Sequence, residues 1–271
     1  MKKHFIFLAL LAGVGCGPNV HHNAQLLTSN SSSIVGGQVV DQENFAKHVV
    51  AIHNADLGYW CTGTLISKNT ILTAAHCIDE ATESSYTIHF SKSPRTFETI
   101  TRNVSSMKAN SGYNAVAYDD RKDIGVIRFE GEAPEGFVPM DLPTARDLSR
   151  MGNRFYAAGY GTVTARSDIP RGSGVLRYTT QTVKGNRVTT EQSQFLVDQT
   201  NGHGICYGDS GGPAFTDMGD HKVVFGVASA VYSTNTEAKK RKDFDVCRYN
   251  AIYTSVFYYL DWIKKASASL R

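Results

Sequence analysis

The chain has 271 residues, of which 41% are hydrophobic, so it can bury a sizeable core as one large domain or two small ones. Its formal net charge of +3 is too small to indicate a protein that binds nucleic acid. The nine histidines are scattered without metal-ligand spacing, and we predict neither a metal site nor another cofactor.

Residues 1–16 have the pattern of an export signal. Met1-Lys2-Lys3 precedes an apolar run from Phe5 to Val14, and Gly15-Cys16 follow. The run is too short for a membrane-spanning helix, and the pattern predicts that the protein leaves the cytoplasm. The stretch from Ala12 to Cys16 also resembles a bacterial lipobox, in which the cysteine is lipidated and anchors the mature protein in a membrane. The alternative is an ordinary secretory signal with a stray cysteine, so we expect either an outer-membrane or cell-surface lipoprotein, or a periplasmic or secreted protein.

Residues 17–33 are rich in Asn, Ser and His and contain almost no aliphatic side chains before Leu26-Leu27. This composition predicts a flexible tether or propeptide. We expect the folded domain to span residues 34–271, with a boundary between two halves near residues 135–150.

Short β-rich runs separated by turn signals recur through this domain, which favours an antiparallel barrel or sandwich over alternating β and α units. The first set comprises residues 48–53, 60–67, 70–74, 86–90 and 124–129, and the second set comprises 155–159, 176–183, 194–197, 223–230 and 251–256. Apolar residues at Val256, Tyr259, Leu260 and Ile263 then repeat with helical spacing and predict a C-terminal helix.

A candidate nucleophile lies in the stretch Cys206-Tyr207-Gly208-Asp209-Ser210-Gly211-Gly212-Pro213. Ser210 stands between an acid and two glycines, which indicates a tight turn. A serine hydroxyl needs a base and a group that orients that base, and His76 and Asp123 are candidates upstream. Asp119 and Asp120 are alternatives to Asp123, which we prefer because an apolar strand follows it directly.

With these three segments and Ile34-Val35-Gly36-Gly37, the chain resembles the chymotrypsin/trypsin family of serine endopeptidases over roughly residues 34–265. The resemblance implies an all-β fold of two antiparallel six-stranded β-barrels with a C-terminal helix. The cleft would lie between the barrels, with His76 and Asp123 from the first and Ser210 from the second. The stretch Gly159-Tyr160-Gly161-Thr162 stands where the family has Gly-Trp-Gly.

The resemblance also implies a mechanism and protein or peptide substrates. His76 would take the proton of Ser210 as the hydroxyl attacks a carbonyl, and Asp123 would hold the imidazole in the useful tautomer. The backbone N–H groups of Gly208 and Ser210 would bind the oxyanion.

In the family, cleavage before Ile34 frees an α-amino group that pairs with Asp209, so the uncleaved chain would be a zymogen. The preceding residue here is Ser33 and not a basic one. Either a different protease activates the chain, or the chain cleaves itself after a small residue.

The resemblance also implies two disulfides. The number of cysteines is odd, and Cys16 is the one outside the domain. The family's pairing would join Cys61 to Cys77 and Cys206 to Cys247.

The positions that would form the substrate pocket predict a small aliphatic side chain before the cut. Gly204 stands six residues before Ser210, where trypsin-like members have Asp. The pocket residues implied by the resemblance are Gly204, Ile205, Tyr207, Ser229, Val231 and Ala251.

Two alternatives remain for the function. The chain is longer at residues 233–246 than the family usually is, and this insert contains Asp243 and Asp245. If either acid reached the pocket, the enzyme would cleave after Lys or Arg, as trypsin-like members do. The insert also contains the basic run 239–242, which would serve as a contact surface if the chain were a non-catalytic binding protein on the same fold.

Overall fold

The computed structural model describes residues 34–40, 43–79, 82–96, 99–117, 120–168, 172–183 and 193–270. The predicted export signal, Cys16 and the tether at 17–33 lie outside the described residues. Within the part of the chain that is described, no helix is long and apolar enough to cross a membrane.

The elements are numbered in chain order. The strands are β1 Gln38–Val39, β2 Val49–Asn54, β3 Tyr59–Leu65, β4 Thr70–Thr73, β5 Tyr86–Phe90, β6 Ile100–Ala109, β7 Gly125–Phe129, β8 Arg154–Gly159, β9 Arg177–Thr182, β10 Gln194–Asp198, β11 Pro213–Asp217, β12 Lys222–Tyr232 and β13 Asn250–Ser255. The α-helices are α1 Glu43–Ala46, α2 Ala145–Arg150, α3 Thr236–Lys239 and α4 Leu260–Ser269, and 3₁₀-helices cover Ala75–Cys77, Glu83–Ser85 and Val246–Arg248.

The first half forms a closed antiparallel barrel in the order β2-β3-β4-β7-β6-β5. Several of its strands are buried at nearly every position, and β5 shows the two-residue period of a sheet with one face in a core. In β5, Tyr86, Ile88 and Phe90 are buried, whereas the side chains between them are only partly buried. Phe90 packs edge-to-face on Phe129 of β7 with ring centroids 5.3 Å apart, so two strands on either side of β6 meet in one core.

The second half is a sheet in the order β1-β9-β8-β11-β12-β13-β10. An isolated antiparallel bridge joins Val183, just after β9, to Val197 of β10 at the far end of the sheet. This half has its own aromatic core, in which Phe195 stacks on Tyr253 with ring centroids 5.2 Å apart. The predicted fold class is therefore confirmed. The second sheet differs from the expected six-stranded barrel in two respects: it includes the short strand β1, and among the described residues one isolated bridge joins its ends.

The predicted C-terminal helix is present as α4 and begins later than the apolar spacing suggests. The backbone N–H of Val256 still donates to the carbonyl of Phe225, so this residue continues the sheet pattern. Within α4, Ile263 and Ala266 are buried in the same core cluster as the first barrel, and the helix packs against β7.

Two strands inside the barrels have no counterpart among the predicted runs. β6 has one buried side chain, Val104, among exposed or partly buried ones, so its sequence carries little apolar alternation. β11 starts at Pro213, directly after the serine turn, where a turn pattern masks the strand.

Tyr160 joins the two halves through a buried hydroxyl. It follows β8, and its hydroxyl donates to the carbonyl oxygens of Val49 in β2 and of Ser91 just after β5, at 3.1 and 2.7 Å. The ring belongs to the first barrel's core cluster. One phenol from the second half thus pairs two carbonyl groups of the first.

We expect Tyr160→Phe to lower the free energy of unfolding by about 1–2 kcal/mol, because the carbonyls of Val49 and Ser91 lose a buried donor. Urea unfolding measures this change. Tyr178→Phe is the control, because that hydroxyl makes an exposed hydrogen bond to Gln38 and should contribute less than about 0.5 kcal/mol. Equal losses in both variants would contradict the assignment of Tyr160 as a link.

Candidate active site

Strand pairing brings His76 and Asp123 together although they are 47 residues apart. His76 lies in the 3₁₀-helix that follows β4, and Asp123 directly precedes β7. These strands are antiparallel, so the residues after the end of β4 meet those before the start of β7. His76 Nδ1 lies 2.8 Å from Asp123 Oδ2, and the backbone N–H of His76 donates to Asp123 Oδ1 at 3.0 Å.

Asp123 is buried and receives a further hydrogen bond from the second half of the molecule. Ser229 of β12 donates its hydroxyl to Asp123 Oδ2 at 2.6 Å. Burial alone would raise the pKa of Asp123, but hydrogen bonds from His76 and Ser229 outweigh it and hold the pKa below its ordinary value. The neighbouring Asp120 instead accepts hydrogen bonds from the hydroxyl of Tyr259 and the backbone of Lys122, and Asp119 lies outside the described residues.

Both predicted disulfides are formed. Cys61 is bonded to Cys77, immediately after His76, and Cys206 is bonded to Cys247. The first bond fastens the helix that carries His76 to β3, and the second fastens the segment that leads to Ser210. Each disulfide should stabilise the fold by roughly 2–4 kcal/mol.

Ser210 sits on a tight turn held from the opposite barrel. Thr62 of β3 donates its hydroxyl to the carbonyl of Gly208 at 2.9 Å and its backbone N–H to the carbonyl of Ser210 at 2.8 Å. Gly208 has φ = 93°, and a Cβ there would lie 3.0 Å from the Cα of Gly161, so the turn requires glycine. Thr62 carries no sequence signal of its own, because its contacts depend on how the two halves pack.

The same turn presents two backbone donors. Among the described residues, no acceptor binds the backbone N–H of Gly208 or of Ser210. No hydrogen bond joins the Ser210 hydroxyl to His76 within the described chain either, although both residues line one cavity. Adjacent unpaired N–H groups beside a serine hydroxyl form a geometry that can bind an oxyanion.

The cavity that contains His76 and Ser210 has a volume of about 220 Å³. Its lining consists of His76, Ile205, Cys206, Tyr207, Ser210, Ser229, Ala230 and Val231.

Four of the predicted pocket residues, Ile205, Tyr207, Ser229 and Val231, are therefore on the cavity wall. Gly204 and Ala251 are not, although the resemblance places them in the pocket. The backbone of Gly204 pairs with Val35, and Ala251 is fully buried opposite Val231 in the β12–β13 ladder.

Asp209 points away from this cavity into the interior. It is fully buried, and its two oxygens accept hydrogen bonds from the backbone N–H groups of Gly161 and Cys206, each at 2.8 Å. Burial raises the pKa of Asp209 to about 7, although both N–H groups and the Arg177 guanidinium oppose the rise. Ile34, the other residue predicted to take part in activation, is also fully buried.

Neither acid of the insert lines the cavity. Asp245 is buried and accepts hydrogen bonds from the hydroxyl of Thr164 at 2.6 Å and the backbone N–H of Ala165 at 2.9 Å. Asp243 is exposed and pairs with Arg241. Both carboxylates are thus engaged in holding the insert itself.

Comparison with known proteins agrees with this geometry. The sequence profile of the trypsin family matches residues 34–263. The chain is 30% identical to a brachyurin from Leptuca pugilator over 247 residues, which cover 85% of this chain and 97% of that protein. It is 27% identical over 213 residues to a chymotrypsin-2 from Vespa crabro, covering 76% of this chain and 88% of that protein. Since the profile spans most of the chain and both halves of the fold, the protein belongs to the trypsin family of serine endopeptidases.

Proposed function

We propose that the protein hydrolyses peptide bonds through an acyl-enzyme on Ser210, with His76 as general base and Asp123 as the group that orients it. One observation carries the proposal: the Nδ1 side of His76 is bound to buried Asp123, while His76 and Ser210 line the same cavity. An imidazole fixed in this way carries its proton on Nδ1 and keeps Nε2 basic.

The chemistry follows from these positions. As Ser210 Oγ attacks the substrate carbonyl, His76 Nε2 takes the hydroxyl proton and then delivers it to the leaving amine. Asp123 stabilises the imidazolium that forms between these two transfers. The unpaired N–H groups of Gly208 and Ser210 bind the oxyanion, and each such donor typically supplies roughly 3–4 kcal/mol of transition-state stabilisation. Water then repeats the sequence on the acyl-enzyme and releases the second product.

We expect Ser210→Ala, His76→Ala and Asp123→Asn each to lower kcat by about 10⁴ or more, because each removes a member of one catalytic unit. The assay is hydrolysis of a peptide substrate. Asp120→Asn is the matched control, since this nearby acid binds Tyr259 and not His76, and it should change kcat by less than about fivefold. Full activity in Ser210→Ala would refute the mechanism, whereas a wild-type protein that begins at Ile34 and cleaves no peptide would favour the non-catalytic alternative.

The proposed substrate preference is a small aliphatic residue on the acyl side of the cut. The cavity is small, Ile205 and Val231 lie on its wall, and no carboxylate is among its lining residues. Asp243 and Asp245 are engaged elsewhere, which weakens the alternative of cleavage after Lys or Arg.

We therefore expect kcat/KM for peptides with Ala or Val before the cut to exceed that for matched peptides with Phe, Lys or Arg by at least about tenfold. A library of peptides that differ only at this position measures the ratio. Preferential cleavage after Lys or Arg would overturn the pocket assignment while leaving the catalytic assignment intact.

The proposal includes export, membrane anchoring through Cys16 and synthesis as a zymogen. In the uncleaved chain Asp209 is a fully buried carboxyl with a raised pKa. Cleavage between Ser33 and Ile34 would provide an α-amino group as its partner. A small residue before that bond matches the proposed preference, so self-cleavage is favoured over a separate activating protease.

This assignment predicts that stability depends on pH in the uncleaved form and not in the cleaved form, compared in the Ser210→Ala background. The ordinary pKa of Asp209 is 3.8 and its folded value is about 7. Between these values the folded uncleaved chain holds a proton that the unfolded chain lacks, so its stability should fall as pH rises from about 4 to 7, by at most about 1.4 kcal/mol per pH unit. In the form that begins at Ile34, the α-amino group keeps the Asp209 carboxylate charged, so stability should no longer fall as pH rises from about 4 to 7.

Urea unfolding of both forms across this pH range measures the difference. Asp209→Asn in each form is the control, because it removes the titrating group and should make the two pH profiles parallel. An identical pH dependence in the two forms that carry Asp209 would contradict the activation proposal.

A further inference from the structure

We infer that Gln199 is the residue that limits the depth of the substrate pocket and keeps its inner end uncharged. The inference deepens the proposed function and rests on the peptidase activity assigned to the same cavity. Gln199 follows β10, is fully buried, and is a positioning residue that acts through the pocket wall.

The side-chain amide of Gln199 holds the wall residue Ile205 by both of its backbone polar groups. The N–H of Ile205 donates to Gln199 Oε1 at 2.7 Å, and Gln199 Nε2 donates to the carbonyl of Ile205 at 3.0 Å. Gln199 Nε2 also donates to the carbonyl of Cys247 at 2.8 Å. Ile205 lines the cavity, and Cys247 is bonded to Cys206, the next residue of the lining.

A second buried layer completes the hydrogen bonding of this amide. Gln181 Nε2 donates to Gln199 Oε1 at 3.2 Å, and the hydroxyl of Tyr253 donates to Gln181 Oε1 at 2.6 Å. Gln199 Oε1 thus accepts two hydrogen bonds while Nε2 donates two, which satisfies the amide. No hydrogen-bonding capacity is left at this point for a charged or polar group of a substrate.

Gln199 also fills the space that a side chain at position 204 would need. A Cβ on Gly204 would lie 2.1 Å from Gln199 Cδ and 2.2 Å from Gln199 Oε1. An acid at position 204 is therefore excluded as long as Gln199 is present. The cavity lining includes Ile205 but neither Gly204 nor Gln199, so the Gln199 amide lies behind the wall residue whose backbone it binds.

The chemical consequence is selection of substrates by length and by charge. A long side chain would have to displace a fully hydrogen-bonded buried amide, and a cation would find no counter-charge at the inner end. Short uncharged side chains avoid both costs. Gln199 therefore accounts for the proposed preference in a way that the lining residues alone do not.

The first test replaces Gln199 in the processed enzyme and measures kcat/KM for matched peptides with Ala, Leu or Phe before the cut. We expect Gln199→Ala to raise the Leu/Ala and Phe/Ala ratios by at least about tenfold, because the pocket gains depth. Gln199→Asn removes one methylene and keeps an amide, so it should shift both ratios less in the same direction. Equal loss of activity toward all three peptides would show a purely structural role and overturn the inference.

Gln181→Ala is the matched control. Gln181 is also a buried glutamine of this network, but its hydrogen bonds go to Gln199, His203 and Tyr253 and not to the wall residue Ile205. It should lower the melting temperature and leave the Leu/Ala ratio within about twofold of the wild-type value. A shift as large as that of Gln199→Ala would assign depth control to the network as a whole and contradict the role given to Gln199.

The second test uses Gly204→Asp with and without Gln199→Ala. The single variant should lose thermal stability and gain no cleavage after Lys or Arg, because Gln199 occupies the position of the new carboxylate. The double variant should gain such cleavage by at least about tenfold over the single variant. Efficient cleavage after Lys or Arg by Gly204→Asp alone would overturn the inference.

The wild-type enzyme in each assay distinguishes failure of the inference about Gln199 from failure of the proposed peptidase function. If the wild type cleaves peptides and the ratios do not move in Gln199→Ala, the inference fails and the proposed function stands. If the wild type, with its N-terminus at Ile34, cleaves none of the peptides, the proposed function fails and the inference falls with it.

Discussion

The pairing of β4 with β7 is the constraint on which the candidate active site depends. The antiparallel register pairs Thr73 with Gly125, so the 3₁₀-helix that follows β4 carries His76 to Asp123, two residues before β7. The carboxylate is buried, and burial would cost several kcal/mol if it were unpaired. Its charge is kept because His76 and Ser229 supply hydrogen bonds. The barrel therefore brings the two side chains together, and the protonation state of Asp123 depends on the barrel and on Ser229 of the second half.

The remaining contacts of the site cross between the two halves of the molecule. Ser229 in the second half donates to Asp123 in the first, and Thr62 in the first half supports the turn that carries Ser210 in the second. Tyr160, like Ser229, is a residue of the second half whose buried hydroxyl donates to the first half, here to the carbonyl of Val49. Neither half alone contains the proposed base, the proposed nucleophile and the groups that position them. Packing of the halves is thus a condition for chemistry as well as for stability.

The sequence was sufficient for what depends on local pattern or on a motif. Turns, periodicity and the order of the motifs made several features predictable. These are most of the strands, the C-terminal helix, both disulfides, and the candidate residues His76, Asp123 and Ser210. β6 was missed because its side chains are mostly exposed and its apolar alternation is weak. Gly204 and Ala251 were assigned to the pocket by position in a motif, but the cavity ends before it reaches them. What stops it is Gln199, whose contacts are set by tertiary packing, so no local pattern marks it.

The segment from Gly204 to Gly212 shows why so many buried polar groups surround one serine. Gln199 binds the backbone of Ile205, Asp209 accepts the N–H of Cys206, and Thr62 binds the carbonyls of Gly208 and Ser210. Each partner holds part of the backbone in place, and within the described part of the chain the N–H groups of Gly208 and Ser210 have no acceptor. Donors that are already oriented need no reorganisation when charge develops on a substrate oxygen. The buried polar groups are therefore needed to keep these two N–H donors available. Without the hydrogen bonds that hold the turn, the backbone would relax and its N–H groups would find other acceptors.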